Sequence, residues 1–470
     1  MTPTLSRRLL TAISVGCHAL LACAAVSAGQ RAPQAASPYQ DDPQIVAQLR
    51  SLGAGESLRL DRFKTAGEGL DVVGFYRRHG PRVRDYSTKM VYAPDRRTAM
   101  YCGASHNTPV VNDVWEYHLG SNTWHLLYAS DGGQQDTIRG NWRIMRGTES
   151  KMRRGLPLDD AEKAKYEKAK AEMRAWYREH VTFENGYIQT KRGGPVYPSH
   201  TWDGLTYDPL VKRMLWHPGH DGNLRWYAEF AGQDYDELQQ RQKPTTKVWM
   251  YEPARGRWRK QVVSAGTPHP PLRGMGATLQ FIPELGKSIF YVAVHNVAPA
   301  AMEMWTYDAR ANVWEEVRPN GGESVSALVK NGLAPEREVQ VAYSPKHKRL
   351  VALAQSKAWT YDVVRKEWAF LCEDAETQGF HARSVFVYDT AGDAFLLVQP
   401  GSETQSRKPS PYILRELSIE TGKWRTITPQ GPPPRKGTWW PPAGYYDPAH
   451  NVLVTYNTEE VWVYRHRKAG

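Results

Sequence analysis

Two sets of side chains recur at matched places in the chain, of the types that ligate metals, move protons near neutral pH or grip carboxylates and sulfates. Seven positions before a repeated aromatic stand Asp85, His200, Gly274, Glu336, His381 and Trp439, with Arg273, Arg337 and Arg383 within two places of that position. A second set follows an apolar run: Ser105-His106-Asn107, His217 and His220-Asp221, His295-Asn296, then Gln355, Gln399 and Asn457. Neutral imidazoles at such places suit a divalent metal. His220 or His295 suits a general base, and Arg337 or Arg383 a clamp on a uronate carboxylate. His106, His200, Arg273, His381 and Trp439 complete the expected substrate-binding set, while Trp439-Trp440 and Tyr227 offer flat surfaces for sugar rings. The plainer reading of any one histidine is a structural hydrogen-bonder in a wet loop. No Gly-rich phosphate loop, Gly-x-Ser-x-Gly elbow or His-Glu-x-x-His helix stands beside them.

The elements that must position these residues are repeated. An apolar residue, Trp, any residue, then Tyr occurs at Val114-Trp115-Glu116-Tyr117, Val248-Trp249-Met250-Tyr251, Met304-Trp305-Thr306-Tyr307, Ala358-Trp359-Thr360-Tyr361 and Val461-Trp462-Val463-Tyr464. In the first four a second Trp follows nine residues after the first, and a degenerate copy at Leu414-Arg415-Glu416-Leu417 keeps that spacing to Trp424. Polar or glycine-containing turns separate the two halves, so each copy is a hairpin. Upstream of each lies an aromatic, a turn and an apolar strand, as in Tyr92-Ala93-Pro94-Asp95 and Tyr207-Asp208-Pro209. Together they make a four-stranded meander that buries its aromatic faces only by stacking on its neighbours.

The Trp-x-Tyr hairpin with its downstream Trp resembles the kelch repeat, and it recurs from about Tyr86 to Tyr464. The usual Gly-Gly pair is eroded, as in Tyr101-Cys102-Gly103-Ala104. The resemblance implies an all-β fold, a kelch-type β-propeller with six blades in preference to seven, over residues 51–470. It carries no catalytic residue of any family member onto this chain. The last copy has three strands, so Ser57 to Arg62 is expected to supply its fourth beside Val461 to Tyr464, with Leu58 and Leu60 on the buried face.

Residues 1–28 read as an export signal: Arg7 and Arg8, an apolar stretch from Leu9 to Val26, then Val26-Ser27-Ala28 placed for cleavage. Ser6-Arg7-Arg8-Leu9-Leu10 also resembles a twin-arginine signal, and Leu20-Leu21-Ala22-Cys23 a lipobox that would anchor the chain through Cys23. The expected location is therefore periplasmic or secreted, with or without a lipid anchor. Residues 29–50 read as a linker that is dispensable up to about Ala47. No later segment has the roughly 18–20 apolar residues a membrane span needs. Cys102 and Cys372 fall in opposite blades and are expected to be free thiols.

The surplus between repeats lies at about 130–196, where 158–180 is rich in Ala, Glu, Lys and Met and reads as a helix, either a lid beside the mouth or a charged helix packed by Met173, Trp176 and Tyr177. The formal charge of +12 favours a polyanionic partner. Export and the absence of a recognition motif argue against nucleic acid. The expected function is a secreted carbohydrate-active protein, lyase-like, on an acidic polysaccharide; the alternative is a non-catalytic scaffold for an extracytoplasmic protein or cell-surface glycan.

Overall fold

Each repeat folds as a four-stranded antiparallel meander, and six of these account for most of the chain. The computed structural model describes residues 36–470 except 85, 104–110, 220–223, 265, 271–274, 295–300, 337–338, 378–382, 402–409, 438–440 and 469–470. The first sheet runs Val91–Ala93, Thr98–Tyr101, Val114–His118 and Thr123–Tyr128; the second Leu205–Asp208, Arg213–Trp216, Thr245–Glu252 and Arg257–Val262. The third is Met275–Ile282, Lys287–Val294, Ala301–Asp308 and Val313–Glu316, and the fourth Gln340–Ser344, Arg349–Ala354, Lys357–Asp362 and Glu367–Glu373. The fifth is Val385–Asp389, Ala394–Pro400, Ser410–Leu417 and Trp424–Ile427, with Arg435–Lys436 added to its third strand. The sixth takes Ala443–Asp447, Val452–Tyr456 and Val461–Tyr464 from the C-terminal end.

Its fourth strand is Ser57–Leu60, paired antiparallel with Ser57 opposite Tyr464 and Leu60 opposite Val461. Leu60 is buried and Leu58 packs half-buried on the same cluster. A further strand, Lys64–Gly67, runs parallel to the outer strand of the first sheet.

The turns explain why the meanders are regular. One left-handed residue sits in every turn between first and second strands: Arg97, Lys212, Gly286, Lys348, Asp393 and Asn451. Asn122, Gly256, Asn312, Lys366 and Gly422 do the same between third and fourth strands. Such a residue lets a short loop follow the strand twist. The Tyr-Asp pairs add Asx turns, as where Asp208 Oδ1 accepts from Leu210 N at 2.9 Å and Asp362 Oδ1 from Arg365 N at 2.9 Å.

The apolar side chains collect between sheets. One cluster joins the first and second sheets around Trp249 and Trp258, another the second and third around Trp314, and a third the third and fourth around Trp368. Two more join the fourth to the fifth and the fifth to the sixth, and one holds Trp115 and Trp124 of the first with Tyr445 and Tyr456 of the sixth. Each large aromatic removes roughly 150–250 Å² from water, several kcal/mol at about 25 cal/mol per Å².

The N-terminal stretch differs from a linker. Helix α1 (Pro43–Ser51) is capped by Asp42, whose carboxylate accepts from Gln44 N, and it buries Ile45 and Leu49. Arg465 donates to Leu49 O at 2.9 Å. An apolar pair at helical spacing beside Pro at N1 makes this a docked element. A single turn, α2 (Tyr76–His79), follows.

The insertion holds more helix than 158–180 suggests. Helix α3 (Gln134–Arg153) precedes α4 (Asp160–His180), which opens on a capping box from Asp159 and Glu162. A hairpin, Val181–Glu184 with Tyr187–Thr190, and helices α5 (Leu224–Ala231) and α6 (Tyr235–Arg241) join them over a shared core containing Met173, Trp176, Tyr177 and Phe230. Tyr227 is buried in that core and presents no sugar-binding surface. Buried Asp131 fastens the insertion to the first sheet, accepting from Asn112 Nδ2 at 2.6 Å, Tyr128 OH at 3.0 Å and Arg192 NH1 at 3.0 Å. A short helix, α7 (Val325–Lys330), ends the helical inventory among the described residues, and no described helix is long and apolar enough to cross a membrane. Cys102, buried, and Cys372 are free thiols.

Candidate functional site

Of the residues expected to form the site, His106, His220, Arg273, His295, Arg337, His381 and Trp439 lie outside the described residues, as do Trp440, Cys23 and the export signal. His200 and Arg383 are described. His200 is half-buried with φ 58°, its carbonyl accepts from Gly219 N at 3.0 Å, and its ring stands 5.1 Å from Trp202. Trp202 (φ 47°) and Tyr86 (φ 59°), 5.9 Å apart by ring centroid, share that left-handed backbone. Three non-glycine residues so placed, in the chain leading into the first two sheets, mark a strained corner of the kind found at binding sites. Arg383 is exposed just ahead of the fifth sheet's first strand.

Other members of the matched sets serve the fold. His217 is buried with its ring edge-on to Phe290 at 4.9 Å, Gln399 donates to Glu376 O at 2.7 Å, and Asn457 Oδ1 accepts from Glu459 N and Glu460 N at 3.0 Å. These are buried polar groups satisfied by backbone or rings. Among the described residues, His347, Asp393 and Glu420 are the one group close enough to share a metal. Asp393 is already held by Lys346, by His347 Nε2 at 2.8 Å and by Tyr388 OH at 2.6 Å. Burial opposes ionisation of its carboxyl, but those bonds bring it down to about 2. An ammonium on the same carboxylate makes this an ion-pair network rather than a cation site.

The strongest cluster comes from α3. Arg139, Arg143 and Arg146 are spaced i, i+4 and i+7, on one helix face, while Ile138 and Met145 turn into the insertion core. Arg139 is only 5% exposed; Arg143 and Arg146 are exposed. All three act on the Tyr197 phenol, which Arg139 also hydrogen-bonds, although burial is the larger influence and raises its pKa. Trp142 lies under two of them, 5.5 Å from the Arg139 guanidinium and 5.0 Å from that of Arg146. Tyr197 is 6.2 Å from Trp142 and 5.8 Å from Trp226, and all three rings are half-buried. No carboxylate among the described residues pairs with Arg143 or Arg146. Unneutralised guanidinium forks beside amphipathic rings are equipped to receive an anion carried on a flat, partly apolar body. Sequence reasoning missed this group because it sought function at the repeat register; its signal was the helical spacing of three arginines and a tryptophan inside the insertion.

A second unforeseen group crosses the sheets' first strands. Lys89 Nζ stands 3.3 Å from Asp203 Oδ2 and donates to Leu279 O at 3.0 Å; Asp203 Oδ2 also accepts from Thr278 Oγ1 at 2.7 Å and Val341 N at 3.2 Å. Gln340 and Ser384 continue the belt through reciprocal bonds, Ser384 Oγ donating to Gln340 Oε1 at 2.8 Å and Gln340 Nε2 to Ser384 O at 2.8 Å. Burial pushes the Lys89 ammonium down and the Asp203 carboxyl up, each opposed by the other's charge. Lys89 also lines a cavity of about 450 Å³ to which each of the six sheets gives at least one aromatic, Tyr92, Tyr207, Phe281, Tyr343, Tyr388 and Tyr446 among them.

No protein-family model matches the sequence, and a search of curated proteins found no relative. Among solved structures, the chain is similar to an auxiliary nutrient binding protein from Bacteroides thetaiotaomicron VPI-5482, at 9% identity and a TM-score of 0.38, over 80% of this chain and 68% of that one. A likeness of that size carries no argument about this chain.

Proposed function

We propose that the chain is a six-bladed β-propeller of kelch type, exported, that binds an acidic saccharide at the arginine face of α3. Support for the ring comes from the inter-sheet clusters, which run from each sheet to the next and from the sixth to the first, and from the cavity to which all six sheets contribute aromatics. Support for the ligand rests on one observation: Arg139, Arg143 and Arg146 converge on Tyr197 between Trp142 and Trp226, with no carboxylate on the two exposed guanidiniums among the described residues. Carboxylates or sulfates of the saccharide would take the guanidinium forks, and its ring faces the indoles.

If the ligand is also cleaved, the reaction class is β-elimination: His220 or His295 removes the proton beside a uronate carboxylate that an arginine neutralises, and the glycosidic oxygen leaves with its electron pair. Calorimetric titration with oligogalacturonate tests binding, and ultraviolet absorbance of unsaturated products tests cleavage. Binding without new absorbance assigns the chain to the non-catalytic scaffolds. No binding to any uronic-acid oligomer removes the proposal.

A further inference from the structure

The outer edge of the second sheet carries a basic cluster, remote in sequence from α3. Glu252 ends the third strand with its side chain only 6% exposed, and four arginines converge on it. Arg213 donates to Oε1 from the second strand and Arg257 Nε to Oε2 at 2.8 Å from the fourth; Arg255 NH1 stands 3.6 Å from Oε2 and Arg259 NH1 3.6 Å from Oε1. Register explains the meeting. Glu252 lies opposite Arg257, the pairing of Met214 with Tyr251 sets Arg213 beside Glu252, and that of Met250 with Arg259 puts this arginine two places along the same face. Arg255 reaches back from the turn. The neighbouring acid, Asp208 opposite Arg213, is buried, and its Oδ1 accepts from Leu210 N and Val211 N.

Among the described residues no other carboxylate forms an ion pair with these four arginines, so they exceed Glu252 by three positive charges, and by two when Asp208 is counted. Burial opposes ionisation of Glu252, but the Arg257 bond and the charges of Arg213 and Arg259 hold its carboxyl below the usual range. One carboxylate offers two oxygens, whereas each guanidinium carries five N–H donors. The remainder face water: the Arg255, Arg257 and Arg259 side chains are 62%, 44% and 44% exposed. The meander does not require the cluster, since the matching pairs in the first, third, fourth and fifth sheets are His118 with Thr123, Asp308 with Val313, Asp362 with Glu367 and Leu417 with Trp424.

We propose that Arg213, Arg255, Arg257 and Arg259 form a docking row for a sulfated linear glycan. Arg257 and Arg259 project from alternate positions of one strand, roughly 6.6 Å apart at about 3.3 Å per residue, and Arg255 extends the line into the turn. That strand is the outer one of its sheet, so the row lies along an edge, which suits a thread of charges. A sulfate ester has three terminal oxygens and accepts from two crowded guanidiniums at once, where a carboxylate fills a single fork. Glu252 holds the forks in place beforehand. The row stands on the second sheet and does not rest on the assignment of α3.

The test is calorimetric titration of the full chain with heparin oligosaccharides over a series of salt concentrations, for the wild type, Arg255→Ala/Arg259→Ala, the α3 pair Arg143→Ala/Arg146→Ala, and an α4 control, Lys163→Ala/Lys168→Ala, which removes the same charge from an exposed helix. Arg213 and Arg257 still hold Glu252 in the row variant, which should melt like the wild type. Its heparin affinity should fall at least about tenfold with a flatter salt dependence, whether or not the α3 pair is also replaced, while the α4 control binds as the wild type does. If the double variant does not fold, Arg255→Ala alone, at the exposed turn, should weaken binding about threefold, half of that free energy. Galacturonate binding at α3 is read separately, and its failure leaves these outcomes unchanged. An undiminished heparin affinity in the row variant, an equal loss in the α4 control, or a loss seen with phosphatidylglycerol vesicles but not with heparin overturns the row.

Discussion

The Lys89 ammonium stands 3.3 Å from Asp203 Oδ2, and through that pair the first sheet is tied to the second, the third and the fourth. Both side chains are largely buried, so their mutual charge is compensated within the protein. Asp203→Ala strands the ammonium and removes three acceptor bonds; it should cost about 3–5 kcal/mol. Lys89→Met leaves Asp203 with Thr278 and Val341 as donors and should cost less. A double-mutant cycle in denaturant checks this: the combined loss should fall short of the sum of the single losses, and strict additivity would mean the pair does not couple.

The strand Ser57–Leu60 and helix α1 make separable contributions to stability. Truncation after Ser51 removes the buried Ile45 and Leu49 side chains, at about 1.5–3 kcal/mol each. Truncation after Arg62 also exposes the edge of Val461–Tyr464 and should abolish cooperative unfolding or lower the melting temperature far more. Equal melting of the two truncations would mean that Ser57–Leu60 closes nothing.

Acid sensitivity should centre on His125. Tyr39 stacks on its ring at 3.6 Å and nearly parallel, while the Tyr39 hydroxyl donates to Glu116 Oε2 at 2.6 Å. Burial depresses the His125 pKa to about 4, against a partial pull upward from Glu116. An unfolded histidine takes its proton near 6.5. Between those values the unfolded chain binds more protons, so stability is full above about 6.5 and is lost as the pH falls towards 4. Neighbouring His118, also depressed, acts in the same direction. His125→Phe keeps the stack without the titration, and its melting temperature should fall less steeply across this window than that of the wild type.

The repeat was legible because Trp-x-Tyr and the second Trp are large apolar groups at fixed spacing, and burial between sheets leaves such a spacing in the sequence. The pairing of Ser57–Leu60 was legible for the same reason: the last copy has three strands, its third strand Val461–Tyr464 lacks a neighbour of its own, and Leu58 and Leu60 alternate as a strand must. The left-handed turn residues were not legible, since Arg97, Lys212 and Lys348 are chosen by turn geometry against their own propensity. The site was half legible. His200 and Arg383 stood out by register, but the left-handed backbone that His200 shares with Trp202 and Tyr86 leaves no local pattern in the sequence. The α3 arginines carried a helical signal, yet their convergence on Tyr197 depends on how the insertion folds back.

The most direct measurement of the central claim is calorimetric titration of the full chain with a short galacturonate oligomer, for the wild type and Arg143→Ala/Arg146→Ala. Both arginines are exposed, so the variant should melt like the wild type. Removing two charge-assisted contacts should weaken binding by roughly a hundredfold, at about 1.4 kcal/mol per tenfold, and the remaining affinity should lose most of its dependence on salt. A variant that binds the oligomer as tightly as the wild type would contradict the assignment of the acidic saccharide to the arginine face of α3.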